Sequence, residues 1–402
     1  MLLKDKLVAI IGGGPGGLTL AKLLQTKGAN VSLYERDADR NARGQGTTLD
    51  LHEDSGLRAL RIAGLMDEFR KRYRPGADRI RVTDKSGAIL FDEHAYKPLE
   101  DFGAEHFRPE IDRAPLREML IESLQPNTIR WNSQFVGMQP AVVPGLPCDS
   151  TAPGWRISFA DGHSAYADIV IAADGANSRL RKYLTDIQPV YSNITMVEGL
   201  IHHAETNVPS LWQLVNGGKI FALGDERSLI LGAKGDGSLS FATGIKEPEG
   251  WAAHSGIDFN DRKQVCEWFK QRFAGWSDAW RELFATGDPE AWYIPRPMYH
   301  FPPDQYWPTQ PNLTILGDAA HRMPPYAGEG VNQAMQHAVE LYEALCEDNH
   351  PTIPAALAAY EKAMLSRAAE ITRQSLDSTE MMHSPRGLEN TLQLFNPASN
   401  FR

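Results

Sequence analysis

The fold is decided near the start of the chain, where residues 6–18 read KLVAIIGGGPGGL. An apolar run leads into three glycines with the spacing G-x-G-x-x-G, namely Gly12, Gly14 and Gly17, and leucines then recur at helical spacing. This order of strand, turn and helix is typical of a dinucleotide-binding unit. Gly12 permits the tight turn, Gly14 lets a pyrophosphate approach the backbone, and Gly17 lets the helix pack closely on the strand.

A second predicted strand ends in an acidic residue at the position that such a unit requires. Residues 31–35 read VSLYE, and Glu35 follows Gly17 by 18 residues (35 − 17). A carboxylate at this place accepts hydrogen bonds from ribose hydroxyls, and the first helix offers unpaired N–H groups to an anion. We therefore predict a dinucleotide ligand; the alternative is a glycine-rich turn that binds nothing.

The composition limits the possible classes of protein. The chain has 402 residues, of which 42% are hydrophobic, enough for the cores of two domains. A net charge of −10 disfavours nucleic acid or an anionic membrane as a partner.

The three cysteines, Cys148, Cys266 and Cys346, lack metal-ligand spacing, so we predict packing roles, a reducing compartment and no metal. The absence of a signal peptide or membrane-span pattern predicts a cytoplasmic protein.

The order of the patterns predicts an α/β fold (α+β overall) in which two domains are interleaved. Short strands joined by tight turns indicate that the second domain is an antiparallel sheet, and the last part of the chain predicts one long helix over residues 353–382. Residues 140–153, rich in proline and small residues, are predicted to be an exposed connection. The predicted limits are residues 1–72, 101–186 and 291–350 for the dinucleotide-binding domain, 73–100 and 187–290 for the second domain, and 351–402 for the C-terminal helix and tail.

Two further motifs accompany the glycine motif. Residues 168–175 read DIVIAADG, a strand apolar on both faces that ends in Asp-Gly. Residues 317–332 read GDAAHRMPPYAGEGVN and stand between another apolar strand and a helix. An aspartate at a strand end can accept hydrogen bonds from the hydroxyls of a sugar alcohol, and the turn from Gly328 to Gly330 can present N–H donors to an anionic ring.

Together these motifs resemble the single-component FAD-dependent aromatic hydroxylases, the group A flavoprotein monooxygenases. Within that group the chain is most similar to the flavin-dependent tetracycline-inactivating monooxygenases. The similarity lies in the short motifs YERD at 34–37, TLDLH at 48–52 and IDR at 111–113, and in the segment 321–332. The resemblance covers essentially the whole chain. It implies a Rossmann-like FAD-binding domain interleaved with an antiparallel-sheet substrate domain, and a monomer.

The resemblance also implies which residues hold FAD. For Arg113 and Arg117 a surface ion pair is the structural alternative, and for Asp318 it is a helix cap. The residues implied for the AMP half and the phosphates are Gly12, Gly14, Gly17, Glu35, Arg36, Arg113 and Arg117. Asp318 is implied for the ribityl or pyrophosphate portion, Asp50 for the flavin half, and the backbone of Gly328, Gly330, Val331 and Asn332 for the pyrimidine end of the flavin ring.

The chemistry implied by the resemblance belongs to the flavin. NAD(P)H would reduce FAD, O₂ would add to give a C4a-hydroperoxide, and its distal oxygen would pass to an electron-rich phenolic or polycyclic substrate, with tetracycline as one candidate. The protein would position the substrate and exclude water. We therefore predict no catalytic side chain, and we interpret His321 as a hydrogen-bonded structural residue.

Five positions match residues that line the substrate pocket of the tetracycline-inactivating relatives. The matching positions are Glu198, Lys219, Ser240, Pro325 and Met382. Lys219 keeps the charge of an arginine but not its two-pronged geometry, and a salt bridge between Glu198 and Lys219 is the structural alternative.

Two other functions stay open at this point. A flavin-dependent halogenase shares much of the FAD scaffold, but WYIP at residues 292–295 is only a fragment of its Trp-x-Trp-x-Ile-Pro word and is interpreted as an ordinary strand that returns the chain to the nucleotide-binding domain. A dinucleotide-binding sensor without enzymatic activity has the same fold signals.

Overall fold

The computed structural model describes residues 2–42, 46–104, 107–141, 153–347 and 349–395. Cys148 and most of the predicted connection at 140–153 lie outside the described residues. In the described ranges the strands are β1 (Leu7–Ile11), β2 (Asn30–Tyr34), β3 (Thr48–Asp50), β4 (Ile80–Asp84), β5 (Ile89–Asp92), β6 (Glu110–Asp112), β7 (Ile129–Arg130), β8 (Phe135–Ala141), β9 (Gly154–Phe159), β10 (Ser164–Ala167), β11 (Ile169–Ala172), β12 (Val190–Ile201), β13 (Lys219–Gly224), β14 (Arg227–Ala233), β15 (Leu239–Lys246), β16 (Trp292–His300) and β17 (Leu313–Ile315). The helices are α1 (Pro15–Thr26), α2 (Gly56–Ile62), α3 (Met66–Arg70), α4 (Arg113–Glu122), α5 (Ala204–Asn207), α6 (Pro209–Val215), α7 (Trp251–His254), α8 (Arg262–Arg272), α9 (Glu282–Ala285), α10 (Gly330–Cys346), α11 (Ile353–Met382) and α12 (Gly387–Phe395).

A five-stranded parallel sheet in the order β17-β11-β1-β2-β7 forms the first layer. Its central strands are apolar on both faces: all four residues of β11 are buried, and α1 and α10 pack together beside the sheet. The predicted Rossmann-like architecture is confirmed, and the DIVIAADG strand lies beside β1 as the second parallel strand.

A seven-stranded sheet in the order β16-β12-β15-β14-β13-β4-β5 forms the second layer. It is antiparallel as predicted, except that β13 and β4 run parallel. One face packs on the helices between residues 204 and 285, in a core that contains Trp280 and Phe284. On the other face Met196 and Leu223 pack against Tyr326 and Met382, which come from the opposite layer.

The strand β16 corrects one prediction. Residues 292–295 do not return the chain to the parallel sheet, because β16 pairs antiparallel with β12, with Trp292 opposite Leu200. Tyr293 is buried in the helix-side core of the seven-stranded sheet, and Pro295 and Pro297, which have no N–H to donate, fit a strand at its edge. The chain returns to the parallel sheet only at β17, whereas WYIP is an ordinary strand as interpreted.

The long helix α11 connects the two layers. It begins after Thr352, whose hydroxyl accepts a hydrogen bond from the Ala355 N–H at 3.3 Å, and it ends at Met382, which matches the predicted limits. Near its start the hydroxyl of Tyr360 donates to the carbonyl of Ile315 in β17, and near its end Met382 packs on the seven-stranded sheet. None of the helices in the described ranges combines the length and the apolar character that crossing a bilayer requires.

Candidate cofactor and substrate site

A cavity of about 520 Å³ opens where β1, β2, β11 and β17 end and where α1 and α10 begin. Ligands of open α/β sheets bind at this edge, beyond the carboxyl ends of the strands. All three sequence motifs contribute to the wall, which brings together residues up to 323 positions apart (334 − 11). Nine of the predicted cofactor residues line the cavity, namely Gly12, Gly14, Gly17, Glu35, Arg36, Arg113, Asp318, Gly330 and Val331.

The three glycines of the first motif meet different surroundings. A Cβ atom on Gly12, whose φ is +118°, would lie 2.2 Å from the carbonyl oxygen of Ala173, and one on Gly17 would lie 2.2 Å from the carbonyl oxygen of Gly12. A Cβ atom on Gly14 would meet no atom within 4 Å. The outer glycines thus allow close packing, while the middle one leaves space for a ligand above the uncapped start of α1.

The carboxylate of Glu35 is held in place at the end of β2. One oxygen accepts a hydrogen bond from the Gly13 N–H at 2.6 Å, and the other accepts from the Asp37 N–H at 3.0 Å. A carboxylate at the end of the second strand is the group that accepts hydrogen bonds from ribose hydroxyls in dinucleotide-binding folds.

Two aspartates face the cavity from the ends of β11 and β17. Asp174 accepts from the Arg179 N–H at 2.8 Å through Oδ2, but its Oδ1 is buried without a hydrogen-bond partner in the described residues. Burial raises the pKa of Asp174. The surrounding protein also raises the pKa of Asp318 by desolvation, against the opposing charges of Arg113 and Arg322, and this carboxyl is exposed at the wall of the cavity. Hydroxyl donors from a ribityl chain or a water would satisfy such acceptors.

Asp174 is not among the residues that the resemblance implies for FAD, although the Asp174-Gly175 motif predicts a strand-end aspartate that can accept hydroxyl donors. The unpaired Oδ1 is visible only in the folded structure, because its other oxygen is occupied by backbone N–H groups that follow it in the chain.

Arg117 does not line the cavity, which corrects its predicted contact with the adenine and phosphates. Its guanidinium lies behind the glycine turn, donates to Asp37 at 3.0 Å and to the Gly13 carbonyl at 3.4 Å, and stacks over Trp131. The surface ion pair considered as its alternative is also wrong, because the side chain is buried. Arg117 supports the turn that carries the ligand-facing backbone.

Asn332 is likewise engaged with protein atoms. Its amide accepts from the His52 N–H at 2.9 Å and donates to the Asp50 carbonyl, also at 2.9 Å. The side chain of Asn332 therefore joins the start of α10 to the end of β3, whereas the prediction for this residue concerns its backbone. The carboxylate of Asp50 lies beside Gly328, 3.3 Å from where a Cβ atom on that glycine would stand.

A buried group of charges links Asp50 to the seven-stranded sheet. Lys219 of β13 forms an ion pair with Glu110, and Glu110 lies directly opposite Asp50 in the β3–β6 pair. Burial alone would lower the pKa of Lys219, but the charges of Glu110 and Asp50 outweigh it and raise this pKa. For Asp50, burial is outweighed by Lys219 and His52, so its pKa lies well below the usual range.

The salt bridge considered between Glu198 and Lys219 is wrong. Glu198 lies on β12 and is separated from β13 by β15 and β14, so the two backbones are about 14 Å apart at the usual strand spacing. Glu198 instead pairs with Arg296 of the neighbouring strand β16. Glu110 is the actual partner of Lys219. No sequence pattern predicts this pair, because it depends on how two separate sheets meet.

The predicted substrate positions surround one face of the seven-stranded sheet. Leu200, Ser240, Gly232 and Lys219 stand in one row across four strands, and Glu198 lies two residues before Leu200 on the same face. Above this face lie the turn Pro325–Ala327 and the end of α11, which contains Met382. The hydroxyl of Ser240 donates to the Gly232 carbonyl at 3.1 Å and is therefore occupied.

His321 is buried beneath the Gly-Asp motif, where it contacts His337. The Gly317 N–H donates to Nδ1 of His337, so that ring carries its proton on Nε2, which lies 3.2 Å from Nε2 of His321. Burial, with the charges of Arg367 and Arg181, lowers the pKa of His321 to about 3. This neutral, buried pair agrees with the structural role interpreted for His321.

The comparisons with known proteins agree with this site. The model of a family described as FAD binding domain matches residues 5–114 and 307–375. The 3-amino-4-hydroxybenzoate 2-monooxygenase PtmB3 of Streptomyces platensis is 29% identical, over 96% of this chain and 91% of that protein. The FAD-dependent urate hydroxylase of Mycolicibacterium vanbaalenii is 26% identical, over 94% of this chain and 89% of that protein.

Solved structures show the same fold. Klebsiella pneumoniae HpxO complexed with FAD and uric acid superimposes with a TM-score of 0.76 at 21% identity, over 97% of this chain and 92% of that one. The tetracycline destructase Tet(55) superimposes with a TM-score of 0.73 at 16% identity, over 100% of this chain and 96% of that one.

The fold and the site together define an FAD-dependent monooxygenase, with FAD as the cofactor. The matched residues include the glycine turn, Glu35 and Asp318. The Asp174 oxygen that has no partner in the described ranges and the open backbone at Gly14 suit that cofactor. The tetracycline destructases Tet(51) and Tet(55), each 16% identical to this chain, share its fold.

Proposed function

We propose that this monooxygenase hydroxylates a phenolic or polycyclic small molecule at the expense of NAD(P)H and O₂, and that tetracycline-like compounds are the first candidates to test. The observation that carries the proposal is the substrate face, the side of the seven-stranded sheet that bears Met196 and Leu223. It is apolar at its centre and bordered by the charged side chains Glu198 and Lys219. A flat ring system with polar substituents at its edge suits such a surface.

In this proposal, the protein's part is binding and orientation. The turn around Gly14 and the carboxylate of Glu35 would hold the AMP half of FAD, and Asp318 with Asp174 would accept hydrogen bonds from the ribityl hydroxyls. The first turn of α10, from Gly330, would direct N–H groups at the pyrimidine end of the ring, where the helix start favours negative charge.

Bound FAD supplies the redox chemistry, in which NAD(P)H, a proton, O₂ and the substrate give NAD(P)⁺, water and the hydroxylated product. The chain's contribution to rate is to keep water out and the substrate close. The buried residues Tyr326 and Met382 close the substrate face from above, and no protein acid or base is needed for the oxygen transfer.

The test begins with the purified protein. We expect a flavin absorbance spectrum and NADPH or NADH oxidation that is stimulated by a substrate, with the product gaining one oxygen atom that derives from ¹⁸O₂. The panel would contain tetracyclines and simple phenols, together with urate and 3-amino-4-hydroxybenzoate, on which the named relatives act.

Different outcomes separate the alternatives. A protein that neither retains nor binds added FAD would overturn the assignment of the cofactor. Incorporation of chloride instead of oxygen would favour a halogenase, and FAD binding without turnover across a broad panel would favour a sensor. NAD(P)H oxidation that yields only hydrogen peroxide with every compound would contradict the proposed substrate class.

A further inference from the structure

His52 lies between two carboxylates at the end of β3. Its Nε2 is 3.1 Å from Oδ2 of Asp50, and its Nδ1 is 3.3 Å from Oε1 of Glu329. The residue is 7% exposed, so water does not replace these contacts. A neutral imidazole has one N–H and can donate to only one of the two acceptors, whereas an imidazolium donates to both. The geometry therefore favours a positively charged ring.

Both carboxylates lie behind the wall of the cavity, next to the end where the pyrimidine part of the flavin is proposed to lie. Asp50 stands beside Gly328, and Glu329 is the residue immediately before α10, whose first residues line the cavity. The backbone of His52 is tied to the same helix, because its N–H donates to Asn332. His52 thus bridges β3 and the start of α10 through its side chain and its backbone.

The charge of His52 matters because two carboxylates stand beside a proposed anion-binding turn. Without a cation between them, Asp50 and Glu329 would repel each other and any negative charge on the bound ring. Lys219 is shared with Glu110, on the opposite side of Asp50, so it cannot replace His52 at Glu329.

We propose that His52, as an imidazolium, is a positioning residue that clamps the turn 328–330 and the first turn of α10 in the geometry that receives the flavin ring. It acts through Asp50 and Glu329 and does not itself touch the cofactor. The proposal rests on the orientation of FAD given above, and the clamp itself can be measured without the cofactor.

The clamp has a defined pH range. The charged groups that face His52 are Asp50 at the end of β3, Glu329 at the start of α10, and Arg108 in the segment before β6. Burial alone would lower the pKa of His52, but the hydrogen bonds to the two carboxylates outweigh it and raise the pKa to about 9. The charge is therefore present at neutral pH and is lost as the pH rises through about 9.

The experiment uses His52→Gln and a matched control. Asp161 and His163 repeat the Asp-x-His arrangement in an exposed turn far along the chain, with 2.5 Å between Oδ1 and Nδ1, so His163→Gln removes a similar pair away from the cavity. We expect the Kd for FAD, measured by flavin fluorescence, to rise about tenfold or more at pH 7 in His52→Gln and to be unchanged in His163→Gln. In the wild type it should rise only as the pH passes 9, and in His52→Gln this pH dependence should be absent.

A second measurement keeps the inference testable if that variant folds poorly. The titration of the His52 ring in the FAD-free protein, followed by NMR, should give a pKa well above 6.5, and Glu329→Gln should lower it by about one unit or more. A ring that titrates near 6.5, or a His52→Gln protein with wild-type affinity and pH profile, would overturn the clamp. A wild type that binds no FAD would instead overturn the proposed function, while the NMR titration would still decide whether the clamp exists.

Discussion

Lys219 on the seven-stranded sheet forms an ion pair with Glu110 on the small β3–β6 sheet. Because Glu110 stands directly opposite Asp50, and Asp50 lies beside Gly328, this one ion pair connects the substrate face to the proposed flavin end of the cavity. Side chains of directly opposed residues in an antiparallel pair share one face, so Lys219 serves two neighbouring carboxylates. We therefore expect this ion pair to contribute both to the stability of the fold and to the geometry of the site.

Replacing Lys219 with methionine should destabilise the protein. The change leaves the carboxylate of Glu110 buried without its cation and leaves Asp50 with His52 alone, and breaking a buried pair in this way costs about 3–5 kcal/mol. We expect a loss of this size in the free energy of unfolding, measured with urea at pH 7. Adding Glu110→Gln should restore much of it, because the uncompensated charge is removed.

The control for Lys219→Met is Arg296→Met. Arg296 pairs with Glu198 on the same face but is half exposed, so its loss should cost less than about 1 kcal/mol. Once a substrate is identified, Lys219→Met/Glu110→Gln should raise KM more than it lowers kcat and should keep its bound flavin. Equal losses of stability in the two single variants would contradict the cost expected for the buried ion pair. An unchanged KM would leave Lys219 with a purely structural role.

The glycine motif allows stability and cofactor binding to be separated. Gly17→Ala should cost about 3 kcal/mol or more, because its Cβ atom would lie 2.2 Å from a backbone oxygen that cannot move away. Gly14→Ala should leave the Tm of the FAD-free protein within a few degrees, since its Cβ atom enters open space, but should weaken FAD binding about tenfold or more. Thermal unfolding and flavin fluorescence titration check both, and a Gly14→Ala protein with wild-type affinity would contradict the proposed pyrophosphate site.

Asp318→Asn should weaken FAD binding without lowering stability. The side chain is exposed in the FAD-free protein, so replacing its carboxylate with an amide removes no packing contact of the core. We expect the FAD-free variant to have an unchanged Tm at pH 7, together with a larger Kd for FAD. Asp168→Asn is the comparison. Asp168 does not line the cavity, and it accepts a hydrogen bond of 2.8 Å from the Leu7 N–H, so this variant should lower Tm and leave the Kd for FAD unchanged.

The buried His321 should make the protein sensitive to acid. Its pKa is lowered to about 3 in the folded state, against about 6.5 in the unfolded chain, so the unfolded state takes up a proton first as the pH falls. The stability present above pH 6.5 should decline by about 1.4 kcal/mol per pH unit for this residue between pH 6.5 and pH 3. Urea unfolding of His321→Asn should show a slope against pH that is shallower by this amount.

The exposed His254 supplies the control for that experiment. His254→Asn should reproduce the wild-type slope between pH 7.5 and pH 5. If His321→Asn also keeps the wild-type slope, the acid sensitivity arises elsewhere, for example from the neighbouring His337, whose pKa is also lowered by burial.

The sequence by itself determined the local units of this protein. The glycine spacing, the acid at the end of β2 and the apolar run of β11 each depend on residues close together in the chain, and therefore they predicted β1, α1, β2 and β11 correctly. The limits of α11 followed from its periodicity for the same reason. The motifs also predicted a dinucleotide ligand, because a cradle for a dinucleotide needs the same backbone turns wherever it occurs, and the family resemblance implied that this dinucleotide is FAD.

Only the tertiary structure decided which charges meet. Some of these contacts join segments that are far apart in the chain: Lys219 with Glu110, His52 with Glu329, and Arg117 with the glycine turn. The lack of a partner for Asp174 Oδ1 in the described residues also depends on how such segments pack. Only the tertiary structure likewise showed that β16 is an edge strand, because this position follows from its pairing with β12. Such contacts are set by the register and spacing of whole sheets, and a pattern of neighbouring residues carries no information about either.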